Sequence, residues 1–455
     1  MQTSFSLAQL ADPKIKEADQ ILRRCVHCGF CLATCPTYLE LGNELDSPRG
    51  RIYLIKDMLE NDKPASAEVA LHIDRCLSCL SCLTTCPSGV DYMHLVDHAR
   101  VRIEKTYRRP VGDRLVRLLL AQVLPYRRRF AAALRLARLG RPFMAALDRG
   151  GEFGSRLKTM LSLAPDRLPR QNGIAPGTSI TPEGKRRGRV ALLTGCAQAV
   201  LDPGINLAAM RLLSRFGVEV VFPAREGCCG AIVHHMGREA QALHLARANI
   251  DAWIAEIEGE GLDAILVTAS GCGTTIKDYG HMFRRDRRYA KKAARVATLA
   301  LDVTEYLARL DLPTGTRDSN LIVAYHSACS LQHGQRVVAE PKALLERAGF
   351  EVRDIPEGHI CCGSAGTYNL LQPEIASRLR SRKVRNIEAV APDLIATGNI
   401  GCMTQIAAGT IIPVLHTVEL LDWAYGSDHG GLLNRLARHV QPPQAGGNSS
   451  EAGWR

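Results

Sequence analysis

Apolar and polar positions follow three different patterns along this chain. After Ser47-Pro48, which reads as an N-cap and first helical residue, Ile52, Ile55 and Leu59 share one helix face. The N-terminal region is therefore expected to be helical rather than β-rich. From about residue 107 to 188 the pattern becomes a mixture of Arg and Leu: Arg114, Leu115, Arg117, Leu118 and Leu119, then Arg127, Arg128 and Arg129, then Leu134, Arg135, Leu136 and Arg138. It predicts short basic amphipathic helices broken at Pro125 and Pro142, running into a Pro/Gly/Arg-rich linker over 164–188. Beyond it, short apolar runs alternate with helical segments such as 203–216 and 341–348, which predicts α/β units with mostly parallel sheets. The longest charge-free run, 394–418, holds Gly398, Asn399, Gly401, Gln405, Gly409 and Pro413, and suits a buried strand–turn–helix better than a lipid span. The Pro/Gly/Ser/Asn-rich end, 441–455, reads as a disordered tail.

The C-terminal half repeats itself. Val190-Ala-Leu-Leu-Thr-Gly-Cys196 has a counterpart ending at Cys329, Glu226-Gly-Cys-Cys-Gly230 pairs with His359-Ile-Cys-Cys-Gly363, and the run ending at Cys272 pairs with the one ending at Cys402. The offsets are 133, 133 and 130 residues. Three landmarks in one order point to a duplication. Each cysteine turn follows a predicted strand, at the sheet edge where ligand sites of such folds gather.

The sixteen cysteines among 455 residues decide the chemistry. Residues 1–24 carry Lys14, Lys16, Glu17 and Asp19 and no apolar stretch, so no secretory signal is expected and a secreted disulfide scaffold is disfavoured. Metal or redox roles in a cytoplasmic chain follow. Cys25, Cys28, Cys31, Cys35 and Pro36 form one C-x2-C-x2-C-x3-C-P run, and Cys76, Cys79, Cys82, Cys86 and Pro87 a second. This is the bacterial ferredoxin run, whose fourth cysteine ligates the other cluster. The expected sets are Cys25, Cys28, Cys31 and Cys86 for one [4Fe–4S] cluster, and Cys76, Cys79, Cys82 and Cys35 for the other. Zinc needs only four ligands and has no use for a second C-x2-C step followed by C-P. Arg49 and Arg51 could donate toward a cluster or partner, but a solvated helix face is the plainer reading.

The second block supplies Cys196, Cys228, Cys229 and Cys272, then Cys329, Cys361, Cys362 and Cys402. Four thiolates per repeat suffice for up to two further iron–sulfur clusters. A buried structural set, or an empty docking or quinone surface, is the alternative. His326, His359 and His416, and His234-His235, read as hydrogen-bonded core groups rather than ligands. There is no G-x-G-x-x-G or G-x4-G-K-[ST], so no hydride cofactor fingerprint, and the chain is expected to relay electrons without catalysing alone. The fold class that follows is α+β and multidomain. A helical two-[4Fe–4S] ferredoxin domain (1–106) precedes a basic segment and linker (107–188). Two duplicated α/β Cys-Cys-Gly units (189–312 and 320–437) and the tail (438–455) follow.

Cys25-Val-His-Cys-Gly-Phe-Cys-Leu-Ala-Thr-Cys-Pro-Thr-Tyr38 with Ser47-Pro-Arg-Gly-Arg-Ile52 resembles the iron–sulfur subunits of bacterial glycolate oxidase (glycolate dehydrogenase). The paired Cys-Cys-Gly units resemble domains shared with heterodisulfide reductase, anaerobic glycerol-3-phosphate dehydrogenase and lactate-utilisation proteins. The resemblance implies a complex in which flavin-binding subunits oxidise glycolate to glyoxylate, and also D-lactate. Electrons then pass through this chain toward a membrane acceptor such as quinone, peripherally at the inner membrane. Anaerobic glycerol-3-phosphate or lactate dehydrogenase is the alternative complex. The heterodisulfide reductase repeats end in C-x2-C, where this chain has Thr275 and Gln405, which speaks against a five-cysteine cluster and disulfide reduction. The formal charge of +12 raises nucleic-acid binding as a rival. Two clusters at about −2 each would bring it to roughly +8, no reader module is present, and no nucleic-acid partner is expected. The basic segment from Arg114 to Arg138 is expected either to meet an anionic membrane or a partner, or to pack between the two cysteine blocks.

Overall fold

The computed structural model describes residues 1–140, 151–165, 168–169, 174–315 and 320–426. The expected tail, the break at Pro142 and parts of the linker lie outside the described residues.

The four longest helices of the N-terminal domain are Pro13–Arg24, Pro48–Glu60, Ala67–Asp74 and Tyr92–Thr106. Each starts at a residue whose side chain accepts a backbone N–H of the first turn: Asp12, Ser47, Ser66 and Asp91. Such a cap stabilises a helix by about 1 kcal/mol, and Pro13 and Pro48 occupy the first helical position, where a missing N–H costs nothing. Their inner faces bury Leu22, Ile55, Leu59, Ile73, Leu95 and Ile103 in one core. The basic segment forms helices Val111–Val123 and Arg127–Gly140 on either side of Pro125, then Gly151–Leu163.

Two sheets follow. The first contains β1 (Thr178–Ile180), β2 (Gly188–Leu192), β3 (Val218–Phe222), β4 (Ala264–Val267) and β5 (Ala300–Asp302), in the order β1-β3-β2-β4-β5. All neighbours are parallel except β1, which runs antiparallel along β3. The second contains β6 (Ile322–Tyr325), β7 (Glu351–Asp354), β8 (Leu394–Thr397) and β9 (Val414–His416), parallel throughout in the order β7-β6-β8-β9. The duplication thus reappears strand for strand, β3-β2-β4-β5 against β7-β6-β8-β9. Strands β2, β4 and β8 are buried along their length, as strands covered by helices on both faces must be. A single core containing Leu192, Leu212 and Leu266 from one unit and Val323, Leu394 and Leu421 from the other joins the two sheets.

The helical domain sits across both units. Arg382 reaches Glu40 at 3.0 Å, and the Tyr368 hydroxyl donates to the Arg75 carbonyl at 3.1 Å. Toward the first unit, His94 lies between Asp91 (2.6 Å) and Asp278 (2.9 Å) and stacks on His281, whose Nε2 lies 2.6 Å from Glu17. Burial opposes the His94 charge, but the bonds to Asp278 and Asp91 push its pKa up to about 10. The folded value lies above the unfolded one. The stabilisation is therefore complete below about pH 6.5 and is lost as the pH rises through about 10. A His94→Gln variant is expected to show a flatter melting temperature between pH 7 and 10 than the parent; parallel curves would sink this assignment.

Candidate metal centres

The two ferredoxin loops fold alike because they share a backbone device. His27 and Gly29 in the first, and Ser78 and Leu80 in the second, all have positive φ, at 57°, 85°, 50° and 63°. These left-handed residues curl each C-x2-C-x2-C run around a centre. Cys25, Cys28, Cys31 and Cys86 line one small cavity, with Cys82 also at its wall. Cys35 is not part of that lining. It lies on the other side, where Arg51 Nη1 donates to Cys35 Sγ at 3.8 Å and also feels the Cys76 sulfur. Cys82 senses Cys79, Cys76 and Cys35 in turn. The fourth cysteine of each run thus approaches the other run's loop.

Arg51 corrects the solvated-face expectation. Its side chain is 1 % exposed, donates to the His72 carbonyl (2.7 Å) and the Thr37 hydroxyl (2.9 Å), and faces Asp46, 0 % exposed, at 3.6 Å. Asp46 is also held by His72 Nδ1 and Arg75, both at 2.9 Å. Gly50 permits this arrangement: a Cβ there would lie 2.1 Å from the Glu44 carbonyl oxygen of the preceding turn. Arg49 stays half-buried on Glu44. Arg100 Nη2 caps the Cys76 carbonyl at 2.7 Å. Against its burial, Arg51 and Arg100 hold the Cys76 thiol below its usual range, whereas burial drives Cys79 and Cys82 well above theirs.

In each α/β unit the cysteine turns leave the C-terminal ends of adjacent parallel strands. Cys196 follows β2, Cys228-Cys229 follow β3 and Cys272 follows β4; Cys329, Cys361-Cys362 and Cys402 follow β6, β7 and β8. This is the crevice where strand order reverses. Thiol contacts link Cys196 to Cys228, Cys228 to Cys229 and Cys229 to Cys272. The second set repeats the chain, with Cys329 Sγ 3.7 Å from Cys361 Sγ. Gly230 and Gly363 N–H donate to Cys228 and Cys361 Sγ at 3.4 and 3.5 Å. Both glycines are left-handed, φ +88° and +89°, with a helix carbonyl, Ala242 or Ala376, directly behind. Thiol–thiol contact, reinforced by burial, pushes Cys196, Cys329 and Cys362 far above the ordinary thiol range. Such thiols give up their protons to a metal rather than to water, and the four-sulfur donor sets fit iron–sulfur chemistry.

The second unit is joined directly to the ferredoxin loops. Cys79 and Leu77 share an apolar cluster with Cys361, Ile360 and Tyr368, against which Cys329 packs. The two units meet where Ser270 Oγ and Ser330 Oγ bond at 2.7 Å and Asn399 Nδ2 donates to Ser270 at 2.8 Å. A cavity of about 710 Å³ opens beside them, lined by Cys76, Cys229, Cys272, Cys329 and Cys402 on one wall and by apolar residues such as Leu124 of the basic segment on the other.

The histidines divide. His416 is a bonded core group, with Nε2 2.7 Å from the Thr268 carbonyl, and His234 bonds Asp97 at 3.1 Å, as expected. His359 is exposed, which corrects the core reading. His326 is buried at 1 % exposure, yet neither ring nitrogen has a hydrogen-bond partner. Lys383, equally buried, donates to the Glu357 carbonyl at 2.9 Å beside the second cysteine set. No spacing rule marks either residue. Arg127 fits the packing alternative: its Nε donates to the Gly195 carbonyl at 2.6 Å, bracing the Cys196 turn.

Comparison with known proteins gives two matching families. One described as a cysteine-rich domain matches residues 190–277 and 323–407, and one described as a 4Fe-4S dicluster domain matches 21–90. The N-terminal domain is accordingly a holder of two [4Fe–4S] clusters. The glycolate oxidase iron-sulfur subunit of Escherichia coli is 42 % identical over 93 % of this chain and 99 % of its own length. A probable glycolate oxidase iron-sulfur subunit of Bacillus subtilis is 31 % identical, covering 90 % of this chain and 94 % of its own. The crystal structure of a hypothetical protein from Helicobacter pylori shares the fold, with a TM-score of 0.52 and 10 % identity over 94 % of this chain and 74 % of that one.

Proposed function

Because the chain belongs to the family of glycolate oxidase iron–sulfur subunits, we propose that it conducts electrons from flavin-binding partner subunits, which oxidise glycolate to glyoxylate, toward a membrane quinone. The observation that carries this reading is the presence of four cysteine sets, with Cys79 of the ferredoxin loops packed in one apolar cluster with Cys361 of the second unit. Cys25, Cys28, Cys31 and Cys86 hold the first cluster, and Cys76, Cys79, Cys82 and Cys35 the second. The sets around Cys361-Cys362 and Cys228-Cys229 complete the four. Bound clusters supply one-electron transfer; the chain's own groups fix their order and surroundings.

The surroundings of the sets suit the two electron partners. Cys28 is exposed among exposed Val26, Phe30 and Tyr53, a surface fit for the flavin partner. Alongside Cys76 and the cysteines of both Cys-Cys-Gly sets lies the 710 Å³ cavity, whose mainly apolar walls suit a quinone ring. Helices Val111–Val123 and Arg127–Gly140 present exposed Val111, Leu115, Leu118, Leu136 and Leu139 among Arg114, Arg128 and Arg135. That combination supports peripheral attachment to an anionic bilayer. No helix among the described residues is long and apolar enough to cross a membrane.

The test uses the complete complex. With Cys361→Ser in this chain, glycolate-dependent reduction of a quinone analogue is expected to fall to background, while reduction of a small dye at the flavin subunits persists. Quinone reduction at the parental rate would contradict the relay.

A further inference from the structure

We propose that His326 is a nitrogen ligand of the metal centre held by Cys329, Cys361, Cys362 and Cys402, so that the two Cys-Cys-Gly units carry different centres. The proposal rests on the reading that the second unit holds a cluster. Its own basis is local. A ring nitrogen of His326, Cys362 Sγ and Cys402 Sγ lie within 4.8 Å of one another, all buried. Donors bound to one ion at about 2.0–2.3 Å sit within such a spread. The imidazole is 1 % exposed, and both its nitrogens are buried without a hydrogen-bond partner. Leaving a buried polar group unpaired forfeits the hydration it had in water, so an imidazole beside two thiols with neither nitrogen bonded is costly unless a metal completes it.

The duplication supplies an internal control. His326 continues β6, its backbone N–H donating to the Ala396 carbonyl at 2.8 Å. Leu193 occupies the same place after β2, donating to Leu266 at 2.9 Å. An apolar side chain therefore satisfies the fold at this position, and the histidine answers a different requirement. Gln405, on the third turn's helix, is committed to Asn369 and the Ala376 carbonyl.

The decisive experiment is pulsed electron paramagnetic resonance on the full chain, purified anaerobically, reduced, and labelled with ¹⁵N only in histidine. A strong nitrogen hyperfine coupling is expected, changed by the isotope and lost in His326→Leu, the residue of the first repeat. Iron content should be retained in that variant, and His326→Gln provides a second, more polar replacement. A fully iron-loaded parent without the coupling, or a coupling that survives both replacements, overturns the proposal alone. Iron at the two-cluster level in the parent takes down the underlying reading together with it.

Discussion

An Arg51→Leu variant is expected to lose about 3–5 kcal/mol of stability and to fail to retain the cluster of Cys76, Cys79, Cys82 and Cys35. Removing one partner of a buried ion pair leaves the other charge stranded. Here the stranded group is Asp46, 0 % exposed, with only His72 and Arg75 left to hold it. The same guanidinium ties the Thr37 hydroxyl and the His72 carbonyl to the Cys35 sulfur, so its loss also loosens the ligand that crosses between loops. Arg51→Lys keeps the charge but cannot span three acceptors with one planar group, and should fall between the two. Denaturant midpoints, with iron counted in the folded fraction, measure both effects. Wild-type stability in the leucine variant would mean that the buried network is not a structural requirement.

The second large effect is expected at the Cys-Cys-Gly turn. Gly363→Ala puts a Cβ 2.6 Å from the Ala376 carbonyl oxygen at a residue whose φ is +89°. The left-handed backbone alone costs about 1–2 kcal/mol, and the overlap with a helix carbonyl cannot be relieved by a side-chain rotation. The turn must shift, and Cys361 and Cys362 shift with it, so about four irons per chain should be lost. Gly366→Ala is the control, because its φ is +68° with nothing within 4 Å of the added carbon. It bears the backbone cost without the collision and should keep its iron. Equal iron in both variants would remove the steric account of the motif.

The parts of this protein that were legible in its sequence are those whose chemistry dictates spacing. A cluster loop needs its thiolates two and three residues apart, so the ferredoxin runs announce themselves, and a duplicated strand–turn–helix keeps its cysteines at matching offsets. Parallel strands buried on both faces also read plainly, as in Val190-Ala-Leu-Leu. Arg51 was illegible because its burial is decided by Asp46 and His72, which reach it only through tertiary packing. His326 was hidden for a related reason: a histidine after a strand is ordinary, and only its comparison with Leu193 and its unpaired ring nitrogens beside Cys362 and Cys402 single it out. Leu80, left-handed without being glycine, gives no local signal either. Strand β1 is short and half-buried, held by pairing with β3 rather than by its own pattern.

Iron and acid-labile sulfide per chain, measured after anaerobic purification of the full-length protein, test the central claim most directly. Four cysteine sets predict about 16 of each, falling to about 8 when Cys228 and Cys361 are replaced together by serine. A value near 8 in the parent, unchanged by that double replacement, would confine the metal to the N-terminal domain and contradict a relay through the duplicated units.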